Sequence, residues 1–179
     1  GKQVLEWLEW SSRIYACFAK DIAQRRLTVE GLPPHGFDTL HGLEYDIDPA
    51  QVQRIHNARW NGQPIDLKQE FLVATTHYRA SGGGGIDAFD DTAIAVRSDI
   101  VQDQALGAYL AAGDFSGLDQ TPAWRLRPSR AARVIYDTAP DALGHLDEIA
   151  WLSPKKIGRT VNGITRLSLE FDPLGLAPR

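Results

Sequence analysis

A chain of 179 residues can bury a core of its own, and with 43% hydrophobic and 23% charged residues it has the composition of an ordinary soluble globular domain. No apolar run reaches the length of a membrane span, and a net charge of −4 argues against a protein whose main task is gripping a nucleic-acid polymer. The single cysteine, Cys17, excludes an internal disulfide and a zinc cluster built on cysteines.

Lys2, Glu6, Glu9, Arg13 and Lys20 recur at helical spacing, while nearly everything else from Val4 to Phe18 is apolar. This predicts a mostly buried helix with a narrow polar stripe, and it places Cys17 in the core as an inert thiol. The chain opens at Gly1 directly on this pattern, which reads as a domain of something longer. From Leu43 the period changes to two: Leu43, Tyr45 and Ile47 face one way, Glu44, Asp46 and Asp48 the other. Arg54–Trp60 reads as a second strand closed by the tight-turn pair Asn61-Gly62. Phe71–Ala74 is a continuous apolar run, as in a central strand covered on both faces. Ser98-Asp99 predicts a helix start, with Ile100, Val101, Leu106, Tyr109 and Leu110 on the buried side and Gly113 as the stop. Strands are expected around Trp124–Leu126, Arg133–Tyr136 and Ile164–Phe171. Without a regular βαβ rhythm the class is α+β, a mixed sheet packed with helices, in one domain spanning residues 1–179.

Chemistry concentrates at one place. Gly82, Gly83, Gly84 and Gly85 follow Tyr78 and Ser81, and four successive glycines are costly to order. They suit either a flexible surface loop or a segment whose backbone a ligand approaches closely. No Gly-Lys-Ser/Thr follows, so this is not the phosphate loop of nucleoside triphosphatases, and the dinucleotide fingerprint is missing too. Ala80-Ser81-Gly82 lacks the nucleophile-elbow pattern, so Ser81 is not read as a nucleophile. The five histidines are scattered without ligand spacing. Asp46 and Asp48 read as a solvated strand edge, and Arg125, Arg127, Arg130 and Arg133 as a solvated basic face.

Several landmarks in order resemble one family. Gly1–Ser11 (GKQVLEWLEWS), Phe37–Asp48 (FDTLHGLEYDID), Arg54-Ile55, Asn61–Asp66 (NGQPID), Phe71–Thr75 (FLVAT) and Tyr78–Gly84 (YRASGGG) are similar to the carboxyl-terminal domain of the 5′-nucleotidase family. The last segment is nearest the branch of 2′,3′-cyclic-nucleotide 2′-phosphodiesterase/3′-nucleotidases. His77 stands where that branch usually has asparagine, and His35-Gly36-Phe37-Asp38 where it usually has Tyr-Asn-Tyr-Asp. Relatives that cleave 5′-nucleotides often carry an acidic residue near Gly84, and its absence favours the branch of cyclic and 3′-nucleotides.

The resemblance implies a substrate-binding domain in which a nucleotide or nucleoside has its base sandwiched between two aromatic rings. One comes from the position matching Tyr78, the other from that matching Phe37, with His35 as a weaker match. Ser81 and Gly82–Gly85 would bring backbone groups to the base edge or ribose. Catalysis would belong to an amino-terminal metallophosphoesterase domain of the same polypeptide holding two divalent metal ions, in a periplasmic or extracellular enzyme. That domain's Asn-His-Asp/Glu and Gly-His-x-His elements are nowhere in these residues, so the chain by itself is expected to hold no metal, no cofactor and no hydrolytic activity. Other readings are the carboxyl-terminal domain of a 5′-nucleotidase or UDP-sugar hydrolase, and a non-catalytic nucleotide-binding or interaction module. No nucleic-acid polymer and no membrane insertion are expected.

Overall fold

The computed structural model describes residues 1–18, 25–86, 91–113, 115 and 122–172. They form two compact units, Gly1–Trp7 with Ile65–Pro122 and Leu8–Pro64 with Ala123–Arg179. Helix α1 (Lys2–Ser12) contributes its first turns to the former and its end to the latter.

Both sheets belong to the second unit. β1 (Arg25–Arg26), β2 (Leu43–Ile47), β3 (Ile55–Trp60) and β4 (Gln63–Pro64) precede β5 (Trp124–Leu126), β6 (Ala132–Thr138), β7 (Lys155–Arg159) and β8 (Thr165–Phe171). One sheet has the order β4-β3-β2-β5, the other β1-β6-β8-β7. The alternation read in β2 holds, with Leu43, Tyr45 and Ile47 all buried. β2 and β3 run antiparallel with Leu43 opposite Trp60 and Ile47 opposite Ile55. Asn61 and Gly62 both take the left-handed backbone (φ 50° and 74°) that a two-residue hairpin turn demands. A register irregularity between Glu44 and Asp46 accompanies Asn57 at φ 53°, whose Nδ2 donates to Asp46 Oδ2 at 2.8 Å.

β8 is the central strand of the other sheet, antiparallel to both β6 and β7. It is buried at Thr165, Leu167, Ser168, Leu169 and Phe171, the near-continuous burial of a strand covered on both faces. Phe18, Val134, Leu152, Leu167, Leu169 and Phe171 form the core here, and 3-10 turns over Pro140–Leu152 bring Leu143, Leu146 and Ile149 against it. The mixed sheets and helices give the α+β class expected.

In the first unit, the Gly1 ammonium donates to Gln69 O at 2.6 Å and Lys2 N to Leu67 O at 3.0 Å. This fixes the start of α1 against the segment after β4. Helix α2 (His77–Ala80) and helix α3 (Gln102–Ala112) complete the unit's longer elements, and Gly113 closes α3 at φ 68° as read.

Five expectations are corrected. The first helix ends at Ser12 and not Phe18, because Arg54 Nη1 donates to the carbonyls of Ser12 and Tyr15 (2.8 and 2.7 Å) and the chain leaves in extended form, Ala16 N bonding Leu27 O. With the helical phase lost, Cys17 is exposed and not in the core; Lys20 lies outside the described residues. Phe71–Ala74 forms no strand, and Leu72 is 84% exposed: a four-residue apolar run carries no period of its own, and both sheets are completed by other strands among the described residues. α3 begins at Gln102, and Ile100, Val101, Leu106, Tyr109 and Leu110 are exposed; none of the helix's residues is buried, and Tyr109 meets Phe115 edge-on. Asp46 and Asp48 are not solvated. Asp48 is buried with Oδ1 accepting from Ala50 N (2.8 Å), and Asp46 also meets Arg127 at 3.6 Å.

Glu9 accepts from Arg54 N with both carboxylate oxygens (3.0 Å each) and from Ile55 N (2.9 Å). Glu9→Ala should lower unfolding free energy by about 1–3 kcal/mol in urea titrations, since it strands two amides at the start of β3, and Glu9→Gln by less. Asp137 receives Arg166 Nε and Nη2 (2.7 and 2.9 Å) and Arg26 Nη1 (2.9 Å), bonds that hold its carboxyl below the usual carboxylate range, that to Arg166 foremost. A lowered folded pKa stabilises above the unfolded value of about 4 and is lost as pH falls through the folded one. Asp137→Asn should therefore flatten the loss of denaturation midpoint below pH ~4.

Candidate functional site

Tyr78 sits in the four-residue helix α2. Thr76 caps it, its hydroxyl accepting from Arg79 N at 3.4 Å, while Ala80 N and Ser81 N donate to Thr76 O and His77 O, both 3.0 Å. The helix is too short to persist alone, so its ends must be held from outside. The hold comes from the glycine run. Gly82 N donates to Arg79 O (3.0 Å), Gly83 N to Tyr78 O (2.8 Å) and Gly85 N to Gly82 O (3.1 Å). Gly82, Gly84 and Gly85 have φ of 79°, 86° and 82°, the left-handed region in which a side chain would be strained. Three amides of the run are thus committed within the segment, which folds back on α2 as a compact knot.

Arg79 is the residue the sequence reading passed over. It is buried, its Nη1 donates to Gly83 O at 2.9 Å, and its guanidinium carbon lies 5.4 Å from the Tyr78 ring centroid. Its burial is unusual, since arginine is rarely buried without partners, and only the fold reveals it. Tyr78 itself is 60% exposed, so a large aromatic surface is presented on a braced backbone. His77 is exposed and accepts at Nδ1 from Arg97 Nη1 at 3.2 Å, which assigns its remaining ring hydrogen to Nε2. Ser81 and Gly82–Gly85 are thereby gathered with Tyr78 in the first unit.

Phe37 belongs to the other unit and has surroundings of its own. It follows a 3-10 turn over Pro34–Gly36, with Phe37 N donating to Pro34 O at 3.1 Å. The next residue is tied to α1: Ser11 Oγ donates to Asp38 O (2.7 Å) and accepts from Asp38 N (2.6 Å). The half-buried ring stands edge-on to Tyr15 and Trp124, centroids 5.3 and 5.0 Å away and planes at 80° to each. Burial, then the neighbouring Tyr136 and Tyr45, pushes the Tyr15 phenol up, and burial pushes Tyr45 up to about 12, so this cluster is uncharged across the physiological range. Tyr15 and Trp124 were not singled out in sequence; long-range pairing of β5 with β2 brings Trp124 here. His35 is exposed.

Among the described residues no group of three or more His, Cys, Asp or Glu is placed to hold a metal ion, and no helix is long and apolar enough to cross a membrane. Of the four arginines read as a basic face, Arg127 faces Asp46 and Arg133 bonds Glu170 at 2.6 Å.

The family profile of the 5′-nucleotidase, C-terminal domain, matches residues 1–91, and the chain belongs to that family. It is 32% identical over 163 residues to a 2′,3′-cyclic-nucleotide 2′-phosphodiesterase/3′-nucleotidase of Salmonella typhimurium, covering 78% of this chain and 25% of that protein. A protein of the same name from Haemophilus influenzae is 34% identical over 98 residues (46% of this chain, 15% of that protein). A trifunctional nucleotide phosphoesterase of Bacillus subtilis is 28% identical over 192 residues, 96% of this chain and 13% of that protein. The chain thus spans a quarter or less of the length of these relatives. No solved structure matches it.

Phe37→Ala removes two edge-to-face contacts, each worth about 0.5–1.5 kcal/mol. Urea unfolding should show a loss of about 1–3 kcal/mol, accompanied by a weaker near-ultraviolet circular dichroism signal from Trp124.

Proposed function

We propose that residues 1–179 are the substrate-binding domain of a periplasmic, metal-dependent nucleotide phosphoesterase acting on 2′,3′-cyclic nucleotides and 3′-nucleotides. The observation that carries this reading is Tyr78: an exposed ring on a braced turn, in a chain similar to bifunctional phosphodiesterase/3′-nucleotidases. In this reading a nucleobase stacks on Tyr78, and Phe37 is the second aromatic ring that the family resemblance implies. Every base has a π-face, so stacking gives affinity without demanding one base, at ~1–3 kcal/mol per ring.

Hydrolysis is assigned to an amino-terminal metallophosphoesterase domain with two divalent metal ions. Among the described residues no group is placed to hold such ions, and this chain's contribution in this reading is to position the nucleoside, lowering the entropic part of the barrier. Ser81 and the glycines meet the ribose or base edge through carbonyls and the remaining backbone donors in this reading.

The test is a comparison of 3′-AMP, 5′-AMP and 2′,3′-cyclic AMP as substrates of the full-length protein. Preference for the cyclic and 3′ forms is expected; dominant 5′-AMP cleavage would place it among 5′-nucleotidases, and no cleavage of any would leave a binding module. Tyr78→Ala should raise KM roughly 5- to 150-fold, the loss of one stack. An unchanged KM would remove Tyr78 from the site.

A further inference from the structure

The four glycines do not serve one purpose. Gly82, Gly84 and Gly85 have positive φ, so the backbone itself calls for glycine at each. Gly83 does not: its φ lies outside the left-handed region, and an alanine could adopt its backbone. What excludes a side chain there is Tyr78. A Cβ built on Gly83 would collide with the Tyr78 carbonyl oxygen and come within 2.6 and 2.7 Å of the ring's two Cδ atoms. Equal approach to both Cδ atoms, without Cγ being nearer, places that Cβ over the face of the ring and not at its edge. Gly83 is itself pinned at both ends, its amide donating to Tyr78 O and its carbonyl accepting from the buried Arg79.

We infer that Gly83 is a positioning residue. Its bare Cα is the seat on which one face of the Tyr78 ring rests, so that a base stacks on the opposite face. This rests on the reading of Tyr78 as a nucleobase platform and adds how that platform is aimed. A seated ring is already oriented, so less side-chain freedom is lost on binding, and the base meets a surface at a set depth from the backbone. Arg79 acts one step further out, holding the carbonyl of the seat.

The experiment uses the full-length protein and whichever of 3′-AMP, 5′-AMP and 2′,3′-cyclic AMP it cleaves best. Gly83→Ala is expected to raise KM roughly 5-fold or more while kcat is unchanged, because the ring is displaced but the hydrolytic centre is not. In a Tyr78→Ala background the same substitution should leave KM where the single Tyr78→Ala variant has it, although the clash with the carbonyl of residue 78 still lowers thermal stability in both backgrounds. A merely structural role would raise KM equally with and without the ring. An independent measurement needs no variant at position 83: with tyrosine and glycine selectively labelled, the Gly83 Hα resonances should lie far upfield through the ring current and return on Tyr78→Ala. Absence of that shift overturns the inference even should Gly83→Ala fail to fold. A raised KM for Tyr78→Ala with an unchanged one for Gly83→Ala sinks the seat and spares the stacking role. An unchanged KM for Tyr78→Ala sinks both.

Discussion

The end of α1 and the beginning of β3 hold each other through an exchange of charge for dipole. Glu9, inside the helix, gives its carboxylate to the first amides of the strand, and Arg54, just before the strand, gives its guanidinium to the carbonyls that end the helix. Each satisfies backbone groups that their own element leaves without partners, and the cation lies at the negative end of the helix dipole. The path of the chain beyond Ser12 follows from this. So does the place of Ser11, whose hydroxyl then reaches Asp38 and sets Phe37 between Tyr15 and Trp124. One partly buried exchange thus bears on where an aromatic segment nearly thirty residues later can lie.

The two aromatic positions differ in how they are supported. Tyr78 is held by local chain: the backbone bonds that shape its turn run among residues 76–85, and Gly82, Gly84 and Gly85 supply backbone angles that side chains rarely adopt. Phe37 is held by distant chain, through α1 and a strand more than eighty residues away. Local support is cheap in loop entropy and self-contained; distant support makes the ring's position a property of the folded unit.

That difference also explains what could be read from the sequence. Tyr78 and its glycines were legible because their cause lies in contiguous residues, and β2, the Asn61-Gly62 turn and β8 because period and turn chemistry act locally. The ordered landmarks also pointed to the family whose profile matches the first half of the chain. The end of α1 was not legible, because a side chain at position 54 decides it. Phe71–Ala74 and the apolar side of α3 misled for a related reason: hydrophobic pattern states that a face can be buried, not that a partner is available to bury it. Asp48 looked like surface for want of knowing that the chain turns at Pro49 and needs its carboxylate. Arg79 and the separate role of Gly83 required coordinates, since a run of four identical residues conceals that one of them answers to a neighbour's ring and not to its own torsion angles.

Cys17, displaced to the surface by the early end of α1, turns a misread core residue into a practical handle. It is the sole thiol in these 179 residues and lies in the unit that carries Phe37, whereas Tyr78 lies in the other. A fluorophore or spin label attached there sits in the unit of Phe37, with no other cysteine in these 179 residues to remove. The same accident of chain direction that defeated the helical pattern thereby offers a single defined point of attachment for a probe.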